Sequence, residues 1–362
     1  MKFGRTLTEL AMELDRQNNA KKDYIVDTRN MLMDAFADNA QLNIRNDKTG
    51  QTLILNVNEV VHNQIGTALG IPAKYYDKMR ADNPELLAAN VNSWFEKTPK
   101  AHMVRTLDGT ARAFLSDSYR RIDNYDIAQT VLPILSDVFD VSNPQNSFEV
   151  TDERLYLKVL NPRLTTEVVP GDIVQAGILI TNSEVGLGSL TVQPLVYRLV
   201  CSNGMVVNDA RMRKYHAGRK NEASEDFVVY SSDTLEADDR ALQLKIRDTV
   251  KAVAEQTRFE RVVDLMRAAK EAKITASVPT VVELAAPDFG YTKQEGQGIL
   301  DYLIRGGDLS MYGFANAVTR FAQDVKSYDR STALESVGYS IMTMGNRKWN
   351  NLQTAAEENM VA

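Results

Sequence analysis

Cysteine, histidine and long apolar runs are scarce in this 362-residue sequence, and each shortage excludes a class of protein. The single cysteine cannot form an internal disulfide, which fits a reducing cytosol. The three histidines stand far apart, outside any HExxH or similar spacing, so no structural zinc site is expected. No stretch approaches about 18 uninterrupted apolar residues, and the N-terminus lacks a signal-peptide core. We therefore expect a soluble, cytoplasmic protein without a membrane span.

Positive charge is also in deficit. The net charge is −6 and the isoelectric point is near 5.3, which argues against a protein coated all over with nucleic acid. An anionic partner would have to be met by a local basic patch. The length and the 44% hydrophobic content allow one large core or two modest ones.

The first hundred residues carry clear local signals. Apolar residues at helical spacing predict a helix over residues 5–19. Two alternating runs around residues 46–50 predict a hairpin, because the turn is rich in Asn, Asp and Gly. Capping residues and prolines then predict three helices. These cover residues 59–69, 73–80 and 84–95, with Asn58 as the cap of the first.

The central region is rich in strands and ends in a basic loop. Asp108 and Gly109 join two alternating runs, which is the strongest short-range hairpin signal. Asn124 is expected to cap a helix over residues 125–139. Pro194 predicts an edge strand or a bulge, and residues 202–204 a turn. The predicted strands cover residues 103–107, 110–115, 147–150, 155–160, 173–181, 190–200 and 205–207.

Helical periodicity dominates the last third of the chain. One long helix is predicted over residues 238–273, with a bend near 257–259, and an irregular connection around Pro279 and Pro287. Three shorter helices follow, over residues 293–304, 310–327 and 332–343.

These elements predict an α+β fold, in which an antiparallel or mixed β-sheet core with hairpins and packed helices precedes a helical C-terminal layer. Three domains are expected. They are a strand–helix platform over residues 1–99, a central α+β sheet domain with the basic loop over 100–230, and a helical region packing on the core over 231–362.

Catalytic, metal and cofactor signatures are incomplete throughout, so no catalytic residue, metal or cofactor is predicted. Cys201 is interpreted as a packed core thiol and His62 as a packed or surface residue. The carboxylates of Asp117, Asp123 and Asp126 lie close in sequence and leave a metal-dependent nuclease open. Turn and cap chemistry explains the same aspartates without any metal.

Arginine and tyrosine are interleaved on the central strands and loops, beginning with Arg105 and Arg112 beside the hairpin. This combination suits single-stranded nucleic acid, because cationic groups neutralise phosphates and aromatic rings stack on bases. The residues expected to contact phosphates are Arg120, Arg121, Arg198, Arg211, Arg213, Lys214, Arg219 and Lys220. The tyrosines expected to stack on bases are Tyr119, Tyr197 and Tyr215.

Five passages together resemble the phage- and plasmid-associated family called domain of unknown function 932. They are RAFLSDSYRRIDNYDI, RLYLKVL, GDIVQAGILITNSEVGLGSLTVQPLVYRLVCSNGMVV, KYHAG and LSMYGFANAVTRFA, within a resemblance that spans residues 100–345. The resemblance implies a phage, prophage or plasmid context and carries over no catalytic residue. In outline, the hairpin, helix and strands are also similar to the single-strand annealing recombinases, which act as oligomeric rings on DNA.

We therefore expect a phage- or plasmid-encoded single-stranded DNA-binding protein that acts without a covalent step, as a homo-oligomer. A role in annealing or recombination is consistent with this expectation. Two alternatives stay open. One is a virion or host-takeover protein that acts through protein–protein assembly, and the other is the metal-dependent nuclease.

Overall fold

Helices and strands are mixed along the chain without a repeating βα order, so the fold class is α+β, as predicted. The computed structural model describes residues 1–36, 39–46, 49–119, 121–208, 214–215 and 232–361. Within these ranges the helices are α1 (Leu7–Ala20), α2 (Glu59–Ala68), α3 (Ala73–Asp82), α4 (Pro84–Lys97), α5 (Asn124–Val138), α6 (Ser232–Val253), α7 (Gln256–Glu271), α8 (Val278–Phe289), α9 (Lys293–Gly306), α10 (Met311–Phe321), α11 (Tyr328–Met342) and α12 (Asn346–Val361). The strands are β1 (Lys22–Asp27), β2 (Met31–Phe36), β3 (Asn39–Arg45), β4 (Thr52–Val57), β5 (Ala101–Leu107), β6 (Thr110–Ser116), β7 (Ser147–Val150), β8 (Leu155–Glu167), β9 (Ile173–Asn182), β10 (Leu190–Arg198), β11 (Asn203–Val206) and β12 (Lys214–Tyr215).

The first sheet has the strand order β1-β5-β6-β4-β3-β2. Asp108 and Gly109 connect β5 to β6 with φ angles of 51° and 76°, the left-handed values that a two-residue hairpin of this kind requires. Helices α2, α3 and α4 cover one face of this sheet and share one apolar core with it. Because β5 lies between β1 and β6, the domain boundary predicted after residue 99 falls inside this sheet.

The second sheet has the order β11-β10-β9-β8-β7, with β12 paired to β10. Adjacent residues of a strand point to opposite faces, and here both faces are covered. Ile178 packs in a cluster with residues of α5 and α6. Its neighbour Leu179 packs in another cluster with Tyr197 and with Tyr328 of α11. Burial on both faces explains why β9 reads as an almost continuous apolar run.

The C-terminal helices form the predicted layer against the second sheet, where Ala176, Val196 and Met205 join their core. The long predicted helix is divided into α6 and α7 at residues 254–255. The predicted irregular connection is wrong, because α8 spans both prolines. Pro279 lies in the first turn of α8, where a backbone N–H would have no helical partner, and a proline is therefore tolerated there. Helix α12 was also missed by the helical pattern.

Strand β10 ends earlier than predicted and is not an edge strand over most of its length. The Pro194 carbonyl accepts a hydrogen bond from the Val207 amide. The missing N–H of Pro194 would point to the same side of β10, where residue 194 lies between the stretches paired with β11 and β12, so no strand pairing is lost there. The turn into β11 occupies residues 199–202, where Ser202 has φ 53°. Gly204 belongs to β11, and a Cβ atom there would stand 2.8 Å from the Met1 Cβ.

Candidate nucleic-acid interface

The predicted contact residues that the structure describes lie toward the two ends of β10. At the first end, the backbone register places Lys214 opposite Thr191 and Thr191 opposite Thr181. At the second end lies Arg198, seven residues from Thr191 and therefore roughly 23 Å away along the strand. A surface at one end of β10 therefore cannot include both Lys214 and Arg198.

The loop that carries Tyr119 and Arg121 reaches the first end of β10. Asn182, the last residue of β9, donates from Nδ2 to the carbonyl of Ile122 at 3.1 Å and to Oδ1 of Asn124 at 2.9 Å. Since neighbouring strands lie about 4.8 Å apart, β9 and β12 flank β10 closely at this end. The loop after β6 and the two residues of β12 therefore meet the same end of the second sheet.

The two predicted contact residues that are described in this loop, Tyr119 and Arg121, differ in exposure. The Arg121 side chain is 55% exposed, and its Nη1 lies 3.1 Å from Oδ2 of Asp23. Tyr119 is half-buried and donates from its hydroxyl to the carbonyl of Ser183 at 3.5 Å. Burial raises the pKa of the Tyr119 phenol, so this side chain stays neutral at physiological pH. A phosphate would have to compete with Asp23 for Arg121.

A buried charged cluster holds this loop against the first sheet. Arg105 is fully buried, and its guanidinium lies 2.9 Å from Asp23, 2.6 Å from Asp123 and 2.9 Å from the carbonyl of Glu184. The Glu184 carboxylate pairs with Arg112 and accepts from the backbone amide of Asn124 at 2.5 Å. The arginines beside the hairpin are therefore internal ties between the two sheets.

The start of α5 differs from the prediction because of this cluster. Asp123 occupies the N-cap position, and Asn124 is the first helical residue. Burial acts to raise the pKa of Asp123, but Arg105 and Lys21, whose Nζ lies at 2.5 Å, outweigh it and lower that pKa. Both carboxylate oxygens of Asp123 thus face cations. Among the described residues, no group of three His, Cys, Asp or Glu side chains could hold a metal ion.

Tyr197 has to be withdrawn from the stacking residues. Its exposure is 2%, and it packs in an apolar cluster with Leu179 and Tyr328. The alternation along β10 sets the face of the sheet to which this side chain points. Helix α11 covers that face, so the side chain lies in the interior. No base can stack on its ring while this packing is intact.

Arg198 is held by its neighbours. Its Nε and Nη2 contact the two Asp172 oxygens at 2.5 and 3.0 Å, and the Tyr312 hydroxyl donates to the same carboxylate at 2.9 Å. The side chain is 22% exposed. Cys201, expected in the core, is half-buried in the turn after β10, and its Sγ lies 3.2 Å from Nη1 of Arg198.

Part of the predicted site lies outside the described residues. This applies to the side chains of Lys214 and Tyr215, whose backbone forms β12, and to the whole of Arg120, Arg211, Arg213, Arg219 and Lys220. Their predicted contacts stay predictions.

A cleft at the second end of β10 was not predicted. Its walls come from the turn after β10 and from helices α9 and α10, and they include Arg305, Arg320 and Tyr302. The signal available in the sequence was the pair of passages VYRLVCSNGMVV and LSMYGFANAVTRFA, which the fold brings together here.

The comparison with protein families supports the motif resemblance. The family model described as "Domain of unknown function (DUF932)" matches residues 113–336, which is more than half of the chain. The chain belongs to this family. The match includes the loop at Tyr119, all of the second sheet and every residue that lines the cleft, whereas β1 to β5 precede it. No curated protein and no solved structure matches the chain.

No helix in the described part of the chain combines the length and apolarity needed to cross a bilayer.

Proposed function

We propose that this protein binds single-stranded DNA non-covalently at the first end of β10. The supporting observation is the register that places Lys214 beside Thr191 and the Tyr119–Arg121 loop beside the end of β9. The residues of β12 and the loop with Tyr119 and Arg121, about ninety positions apart in the chain, thereby approach one end of one sheet. Separate basic segments that converge on one surface can follow a phosphate backbone, which a single surface arginine cannot do.

The rigid parts of this surface suit a binding role. The buried Arg105 cluster fixes the loop, so the exposed Arg121 and half-buried Tyr119 are presented on a preformed base. The overall negative charge discourages nucleic acid elsewhere on the molecule, which favours one local binding surface. A phage or plasmid origin and a role in strand annealing belong to the same proposal, as does a homo-oligomer, which light scattering after gel filtration would measure.

The decisive experiment is fluorescence anisotropy of a labelled single strand longer than a typical site of about 4–16 nucleotides, across a series of salt concentrations. The variant carries Arg211→Ala, Arg213→Ala and Lys214→Ala. Each phosphate contact on a single strand contributes about −0.7 to the slope of log K against log salt, so losing three should make the slope shallower by about 2.

The matched control removes two arginines and one lysine from exposed positions outside both segments of the proposed surface, by Arg258→Ala, Arg261→Ala and Lys74→Ala. It should bind as the unmodified protein does. Equal binding by both triple variants, or no anisotropy change for the unmodified protein at low salt, would refute the proposal. A duplex competitor of the same sequence should displace the single strand poorly.

A further inference from the structure

The cleft at the second end of β10 has a volume and a lining suited to a small ligand. Its volume is about 570 Å³, within the range of roughly 300–1,000 Å³ found for ligand sites. Three arginines line it, together with the amides of Asn316 and Gln323 and the only cysteine of the chain. A surface this rich in N–H donors favours an anionic ligand.

Two of the arginines are available to a ligand. The Arg305 side chain is 70% exposed and contacts Asp301 through one nitrogen at 2.8 Å. Arg320 is 35% exposed and reaches Asp324 only at 3.4 Å. Arg305 and Asp301 lie four apart on α9, whereas Asp324 lies in the turn after α10. Exposed pairs four residues apart contribute little, so a doubly charged anion can compete with them.

The third arginine has a different role. Arg198 is tied to Asp172 by two short contacts, so it forms a fixed wall beside the two adjustable guanidinium groups. Asp308, the one acidic residue in the lining, is paired with Lys270 at 3.0 Å. This lining therefore presents no unpaired carboxylate that would repel an anion.

An aromatic ring borders the same two arginines. The Arg320 guanidinium lies 4.9 Å from the centroid of the Tyr302 ring, in cation–π contact. The Tyr302 hydroxyl donates to Asp324 at 2.5 Å, which fixes the ring. A fixed ring and a guanidinium lying over it provide planar groups on which a nucleobase can stack.

We propose that this cleft binds a nucleotide, with the phosphate on Arg305 and Arg320 and the base against Tyr302. The ligand is either a free mononucleotide or the phosphorylated end of a strand, since both present the same groups. This site is separate from the surface proposed for single-stranded DNA and does not depend on it, because the two lie at opposite ends of β10.

Cys201 provides a native reporter for the test. Because it is the only cysteine and lines the cleft, its rate of alkylation by iodoacetamide, followed by intact mass, reports whether the cleft is occupied. Adenosine monophosphate at ten times its Kd should slow the reaction by about tenfold. Adenosine and inorganic phosphate at the same concentration should protect less, because each supplies only one of the two contacts.

Variants distinguish binding from general shielding. Arg305→Gln with Arg320→Gln should abolish protection, measured for each variant as the ratio of its rates with and without ligand, and Arg258→Gln should keep full protection. Equilibrium dialysis with radiolabelled adenosine monophosphate gives a second measurement that does not depend on thiol reactivity. If only a 5′-phosphorylated oligonucleotide protects Cys201, the ligand is the end of a strand, and the proposed phosphate and base contacts are supported.

Two results would overturn the proposal. One is full alkylation and no dialysis signal with both the mononucleotide and the phosphorylated strand at millimolar concentration. The other is equal protection by inorganic phosphate and nucleotide, which would reject a base contact at Tyr302. Loss of single-strand binding in the Arg211, Arg213 and Lys214 variant leaves these results unaffected, so the two proposals fail separately.

Discussion

The ion pair between Lys158 of β8 and Glu335 of α11 should respond very differently to single and double replacement. Both side chains are fully buried, with Nζ and Oε2 2.7 Å apart, and Lys158 also donates to the Thr332 hydroxyl at 2.9 Å. Within the described residues, the second Glu335 oxygen is buried without a hydrogen-bond partner. Lys158→Met would leave this carboxylate buried without its ion-pair partner, which should reduce the free energy of unfolding by about 3–5 kcal/mol.

The double replacement Lys158→Met with Glu335→Leu removes both charges together with their desolvation penalty. Replacing a buried pair by apolar residues of similar volume is often neutral or stabilising by about 1–4 kcal/mol. The double variant should therefore recover most of the loss. Since a domain has only about 5–15 kcal/mol of stability, the single variant should be visibly destabilised and the double variant should not.

Glu335→Leu alone adds a test by pH. Burial lowers the pKa of the Lys158 ammonium from its ordinary 10.5, while Glu335 opposes this effect. Without Glu335 the folded lysine should release its proton more readily, whereas the unfolded lysine keeps it up to about 10.5. The stability of this variant should therefore rise as the pH is raised toward that value.

Urea unfolding followed by circular dichroism measures all three variants, and the cycle gives the coupling between the two side chains. The control is Arg80→Met. It breaks an exposed pair with Glu59 of the same 2.7 Å length, and should change stability by less than about 1 kcal/mol. Additive losses in the double variant would refute the reasoning, because they would mean that the two buried charges do not interact.

Three further predictions follow from other parts of the molecule. Arg105→Met should reduce stability by about 3–5 kcal/mol in urea unfolding, because it leaves Asp23 and Asp123 with less compensating charge. Burial lowers the pKa of His62 from 6.5 to about 4, so the unfolded state binds a proton first as the pH falls. The free energy of unfolding should fall by about 3 kcal/mol as the pH is lowered from 6.5 to about 4, and His62→Gln should flatten this dependence of stability on pH. Gly204→Ala should reduce the free energy of unfolding by about 1–3 kcal/mol, seen as a lower melting temperature, because the new Cβ would be too close to Met1. Gly306→Ala has open space around its Cβ and should leave the melting temperature unchanged.

Local conformational rules account for what was predicted correctly. The hairpin at Asp108 and Gly109 follows from two residues that tolerate positive φ between alternating runs. The Asn58 side chain caps α2 by accepting from the Val61 amide, as the sequence predicts. The resemblance to the family was also recognised from short passages of the sequence, and the family match over residues 113–336 confirms it. The hairpin and cap signals each depend on residues within a few positions of one another.

Tertiary packing decided the rest. The pattern of β10 marks Tyr197 and Arg198 as neighbours with opposite directions, but only the position of α11 makes one of them core. Arg105 looks like a surface cation until Asp23 and Asp123 meet it from distant segments. The cleft exists because α9 and α10 pack beside the turn after β10, about a hundred residues earlier in the chain. The sequence by itself therefore determined the secondary structure around its turns and caps and the family to which the chain belongs. Which basic residues are buried, paired or gathered in one place was decided by long-range packing, because burial and charge pairing depend on segments that only the folded chain brings together.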